Sequence, residues 1–208
     1  MSLVKLNNNA VKNVTSFGDI GSGSLAFIKK VTASNSSTLS FVDGASSVVL
    51  DNTYKEYLFI FNNIHASDDN VHFLFNGSDD TSSHSYDVTK TSSSFMAYHN
   101  ESGSDSNLAY STSGDQAQGT GFQNLTTGDL LGADNDQSLG GFLHLFDPSS
   151  TTFVKHFIAR TTVSGASNYN SHAFFAGYFN TTNAITALQF KAASGNIDSG
   201  DIILYGIN

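Results

Sequence analysis

Apolar residues in this chain recur at every second position, in short runs broken by Gly, Ser, Asn and Asp. An alternation of two suits a strand that buries one face; a helix face recurs every 3.6 residues instead. The runs are Leu25–Thr32, Thr38–Val42, Tyr54–Ile64, Val71–Phe75, Phe95–His99, Leu108–Tyr110, Gly141–Phe146, Thr152–Val163, Ala173–Asn180, Ala184–Lys191 and Asp201–Ile207. They predict an all-β fold, an antiparallel β-sandwich with a jelly-roll-like winding. The first two runs read as a hairpin around Ala33–Ser37, and Asn76-Gly77 and Asp147-Pro148-Ser149 read as turns. Tyr54–Ile64 is apolar on both faces, which places it centrally. No stretch has the length and period of a helix, and Thr91–His99 has room for a single helical turn. Residues 1–24 lack the strand pattern and are predicted to form an N-terminal arm, with the sandwich over residues 25–208. The arm carries Leu3, Val4, Leu6, Val11, Val14, Phe17 and Ile20, which are expected to pack on a neighbouring subunit.

Composition narrows the function classes. The net charge is −9, with eight Lys and one Arg spread thinly, which excludes a basic nucleic-acid surface over the whole chain. Cys is absent, so there is no disulfide framework, zinc–thiolate site or thiol catalysis. Met1–Lys12 has no apolar stretch of the length a signal peptide needs, and no run of apolar residues is long enough to span a membrane as a helix. The expectation is a chain made in the cytoplasm without membrane insertion.

The search for chemistry finds little. Sixteen of the 18 acids are Asp, mostly in turn contexts where the side chain caps backbone donors. There is no P-loop, no G-x-G-x-x-G and no G-x-S-x-G. No catalytic residue, enzyme activity or cofactor is predicted. His144 and His156 fall in adjacent strands, with His72 in another, a set able to bind a metal only if one sheet gathers it. Asp134, Asp136 and Ser138 alternate as oxygen ligands do in half of a calcium loop; Leu139 and Leu145 stand where an EF-hand needs Gly and Glu, so the three are candidate ligands of a sandwich-loop calcium site completed by carbonyls and water. In the loop Ser164–His172, Tyr169 lies between Asn168 and Asn170, an aromatic face beside two amides that suits carbohydrate or protein contact. Two strand-poor regions, residues 77–94 and 111–140, are expected to carry function or contacts.

Four segments carry a family resemblance: Tyr54-Lys55-Glu56-Tyr57 through Ile64-His65, Tyr98-His99-Asn100-Glu101-Ser102, Leu143-His144-Leu145-Phe146 through Phe157, and Ser194-Gly195-Asn196-Ile197-Asp198 through Leu204-Tyr205-Gly206-Ile207. From about Leu25 onward the chain resembles uncharacterised virion-associated structural proteins of marine tailed bacteriophages. The resemblance implies a virion location and a surface role, as a capsid decoration or a head or tail fibre subunit acting in assembly. Its implied partners are other virion proteins and further copies of the chain, with a homotrimer expected. The alternative is a receptor-binding tail-fibre module that recognises a host surface glycan. A glycan-degrading enzyme using paired Asp residues is the third.

Overall fold

The structure, a computed structural model, describes residues 24–208. The predicted N-terminal arm therefore lies almost entirely outside the described residues. Thirteen strands follow one another: β1 (Leu25–Thr32), β2 (Leu39–Val42), β3 (Glu56–Ala66), β4 (Phe73–Ser78), β5 (Lys90–Asn100), β6 (Ser106–Tyr110), β7 (Gln116–Gly119), β8 (Gln123–Asn124), β9 (Ser138–Phe146), β10 (Lys155–Ser164), β11 (Tyr169–Phe179), β12 (Ala187–Ala192) and β13 (Ile197–Ile207). No helix occurs among the described residues.

Two antiparallel sheets pack face to face, as the alternation predicts. The larger runs β1-β13-β3-β9-β10-β11-β5-β6 with β7 also on β5, and the smaller runs β2-β12-β4-β8. Eight strands form a common frame, β1-β13-β3-β9 of the larger sheet and the four of the smaller one. In chain order these eight strands pass between the sheets in the winding of a jelly roll. Two insertions widen it: β5–β7 between β4 and β8, and β10–β11 between β9 and β12. They pair with each other through β11 and β5 and extend the larger sheet beyond the roll.

Phenylalanines dominate the core between the sheets. Phe190 on β12 lies within 5.5 to 6.2 Å, centroid to centroid, of Phe41, Phe59, Phe61, Phe73 and Phe75. All six rings are buried. These pairs are edge-to-face, tilted or stacked, and aromatic pairs add about 0.5–1.5 kcal/mol each beyond the area they bury.

Three local expectations need correction. Leu25–Thr32 and Leu39–Val42 do not form a hairpin: β1 pairs with β13 and β2 with β12, because each buries its apolar side in a different sheet. Asn76-Gly77 is not a turn but the interior of β4, opposite Gln189 and Leu188. The buried Asn76 amide donates to the carbonyls of Tyr86, Thr120 and Gly121, which satisfies a polar group that otherwise signals a turn. Thr91–His99 is strand throughout, paired residue by residue with β11.

The strand-poor regions also have structural work. Between β4 and β5 the chain wraps the Asp80 carboxylate, which accepts from the backbone N–H groups of Ser82, Ser83, His84 and Ser85. Those donors hold its acidity well below the usual carboxylate range. Residues 111–137 cover the inner face of the extension. Thr161 and Ser94 donate from that face to the carbonyls of Leu125 (2.6 Å) and Ser111 (2.8 Å), and Ser171 to that of Thr127. Two lysines are buried there, Lys90 on β5 and Lys155 on β10, both opposite Phe179 of β11. Lys90 Nζ donates to the Gly121 carbonyl (2.6 Å), and burial pushes its ammonium down to about 8.

Candidate functional site

The outward side of the larger sheet carries the first unusual surface. Cross-strand register aligns Ile203, Ile60, Phe142, Arg160, Phe174, Phe95 and Tyr110 in one row. A second row beside it runs Phe27, Tyr205, Leu58, His144, Ile158 and Ala176. Leu25, Phe27, Phe95, Leu108, Tyr110 and Ile158 on this side are 46–70% exposed. Within the rows Phe95 stacks on Phe174 at 4.6 Å, and the Arg160 guanidinium lies 5.1 Å from the Phe174 centroid. Arg160 Nε also donates to His172 Nε2 at 2.6 Å; burial first, and then the guanidinium, push His172 below its usual range. His144 Nε2 sits 2.8 Å from Glu56 Oε2, close enough for an ion pair but without the alignment of a hydrogen bond. An outward sheet face of this kind is normally polar in a sandwich that stands alone.

The second feature is a cleft at the end of the extension, where Tyr98 of β5 and Tyr169 of β11 meet. Their rings are 5.5 Å apart with planes at 75°, forming a corner. The Tyr169 hydroxyl donates to Asp105 Oδ2 at 3.0 Å, which pushes the phenol above its usual range. Its backbone is fixed from the other side. The buried Asp129 carboxylate accepts the N–H groups of Ser167 (3.1 Å) and Tyr169 (3.2 Å) through Oδ2, and that of Leu130 (2.9 Å) through Oδ1. Gly128 forms the floor with φ +89°, where a Cβ would overlap the Ser171 hydroxyl. The cleft has a volume of about 370 Å³; a second of about 410 Å³ lies on the other side of Tyr169, lined by Asn100, Glu101, Ser102 and Asn168.

Neither family models, curated proteins nor solved structures match this chain. The site therefore rests on its own geometry. Of the residues singled out in the sequence, Asn168 and Tyr169 line these clefts, whereas Asn170 does not. As the next residue along β11 it points to the opposite side of the sheet and donates to Thr162 Oγ1 at 3.1 Å. Tyr98, Asp105 and Asp129 were not anticipated, because only the pairing of the two insertions brings them to Tyr169. The alternation in Phe95–His99 does place Tyr98 on the side opposite Phe95.

The calcium-like triplet is used otherwise. The Asp134 carbonyl accepts from Gln137 N–H (2.9 Å) and lies 2.9 Å from His65 Nε2, and Ser138 lines a cavity of about 330 Å³ with His65 and Asp198. His65 Nδ1 is 2.8 Å from Asp198 Oδ1. Burial opposes charge on this imidazole, but the Asp134 carbonyl and the Asp198 carboxylate outweigh it and raise its affinity for a proton. Among the described residues no group of three or more His, Cys, Asp or Glu is placed to hold a metal ion, Asp134 and Asp136 included. His72, His144 and His156 do not gather either. His144 and His156 lie on the outward face, while His72 bonds to Thr126 (3.1 Å) beside the small sheet.

Proposed function

We propose that this protein is a virion structural subunit that assembles through the outward face of its larger sheet, with a second copy of the chain as the occupant of that face. The observation that carries the reading is the pair of apolar rows crossing the sheet. Burying a large side chain there contributes about 1.5–3 kcal/mol, and the rows hold many such side chains. Charge favours another copy as the partner. The chain as a whole is at −9, so two copies repel over most orientations. On this face the charged groups offset one another: Arg160, the Lys30–Asp201 pair at 3.3 Å, and Glu56 beside His144. The jelly-roll winding and the resemblance to phage virion proteins support the particle as the place of assembly; the fold does so by analogy alone. A homotrimer is the expected state, each copy meeting the other two through different parts of this face.

Light scattering on the full chain tests the assembly. A mass of three chains that falls to one in Phe174→Asp and Ile158→Asp, with circular dichroism unchanged, is the expected result. A wild-type chain that stays monomeric at high concentration overturns it. Mass spectrometry of purified particles tests the location, and absence from the particles ends the virion reading.

A further inference from the structure

We infer that the Tyr98–Tyr169 cleft is a binding site for a neutral, hydroxyl-rich oligosaccharide, lying across Tyr169 and reaching into the cavities on both sides. The site is separate from the outward sheet face and does not rest on the assembly reading.

The corner of two tyrosines supplies the platform. The C–H bonds of a pyranose ring carry partial positive charge and settle on the negative face of an aromatic ring. Tyr169 is held before any ligand arrives, by Asp105 at its hydroxyl and by Asp129 at its backbone amide. Little order has to be imposed on binding, so more of the contact energy reaches the affinity. Each cavity, at about 370 and 410 Å³, falls in the range of small-molecule sites, and their shared wall at Tyr169 suits a chain of sugars better than a single compact ligand.

The lining decides the ligand class. Asp105 has one carboxylate oxygen engaged by Tyr169; among the described residues no bond is made by its Oδ1 or by the Glu101 carboxylate. Carboxylates accept from sugar hydroxyls in charge-assisted hydrogen bonds. Asn168 and Ser102 add an amide and a hydroxyl able to donate. Among the described residues no Lys or Arg lines either cavity. A uronic or sialic acid would bring a fourth negative charge beside Asp105, Asp129 and Glu101, with no cation among the described lining residues to meet it. That electrostatic bias selects neutral over acidic glycans.

The test immobilises neutral oligosaccharides built on glucose, galactose, mannose and N-acetylglucosamine, with polygalacturonate as the acidic arm. Binding to at least one neutral chain is expected. Tyr169→Ala should weaken it by ~10-fold or more, the loss of about one aromatic contact, while Tyr169→Phe retains the ring and most of the affinity. Preference for polygalacturonate, no binding to any neutral chain at millimolar concentration, or unchanged binding in Tyr169→Ala overturns the proposal. If Tyr169→Ala fails to fold, nuclear magnetic resonance on the wild type replaces it. Ligand-induced shifts centred on the Tyr98 and Tyr169 rings support the site, and shifts confined elsewhere overturn it.

Discussion

Phe95 and Phe174 lie ring upon ring, 4.6 Å apart and 8° from parallel, on the side of the sheet that faces away from the core. Arg160 and His172 also pack against Phe174, while Phe95 is 46% exposed and ready for a third surface. If that surface is apolar, association should resist salt. Sedimentation of the full chain at low and at ~1 M sodium chloride should give an unchanged or stronger association constant, since salt screens ion pairs but not apolar contact. A constant that falls steeply with salt would show that charge pairs hold the copies together instead.

Lys90 makes stability depend on pH. Its ammonium is pushed down to about 8 in the fold, against about 10.4 in an unfolded chain. Below pH 8 the buried lysine is charged in both states, and its full burial penalty opposes folding. Between pH 8 and about 10.4 the unfolded chain binds more protons, so stability from this group rises with pH. Lys90→Met removes the penalty and leaves the Gly121 carbonyl without its donor. Urea unfolding at pH 7 and pH 10 should show the difference between variant and wild type shifting in favour of the wild type by a few kcal/mol at the higher pH. A pH-independent difference would mean that folding leaves the proton affinity of Lys90 unchanged.

Phe190→Ala should be among the most damaging single changes, because five other rings converge on that position. The expected loss is about 3–5 kcal/mol by urea titration. A loss under ~1 kcal/mol would show that the six-ring cluster collapses onto the vacated space.

Asp129→Ala should loosen the approach to Tyr169 without unfolding the roll. Three backbone N–H groups lose their acceptor, at Leu130, Ser167 and Tyr169. Hydrogen exchange at Ser167 and Tyr169 should accelerate by ~10-fold or more, while amides of β3 stay protected. Equal acceleration in both would mean that the carboxylate supports the whole fold.

The strands were legible wherever alternation was clean, as in Leu25–Thr32 or Tyr54–Ile64, because burial of one face leaves a period in the residues themselves. Partnership was not legible. Nothing near Leu39 says that its strand belongs with Ala187–Ala192, and nothing near Asn76 says that a buried amide will find three carbonyls from distant segments. The candidate site was half visible for the same reason. Tyr169 and Asn168 stood out locally as an aromatic beside an amide. Tyr98, Asp105 and Asp129 reach them only through the register between β5 and β11 and through the segment that covers the extension.

The place of β13 between β1 and β3 sets the order in which this molecule can become whole. Lys30 and Asp201, joined across β1 and β13, are 171 positions apart. Among the described residues, until β13 arrives β1 has no neighbour and β3 has one open flank. Pairing over such distances is slow, on the order of milliseconds to seconds. During that interval two unsatisfied strand edges are offered to any other nascent chain. A cell making many copies at once faces a race between closing each roll and cross-pairing neighbours, and β13 decides it.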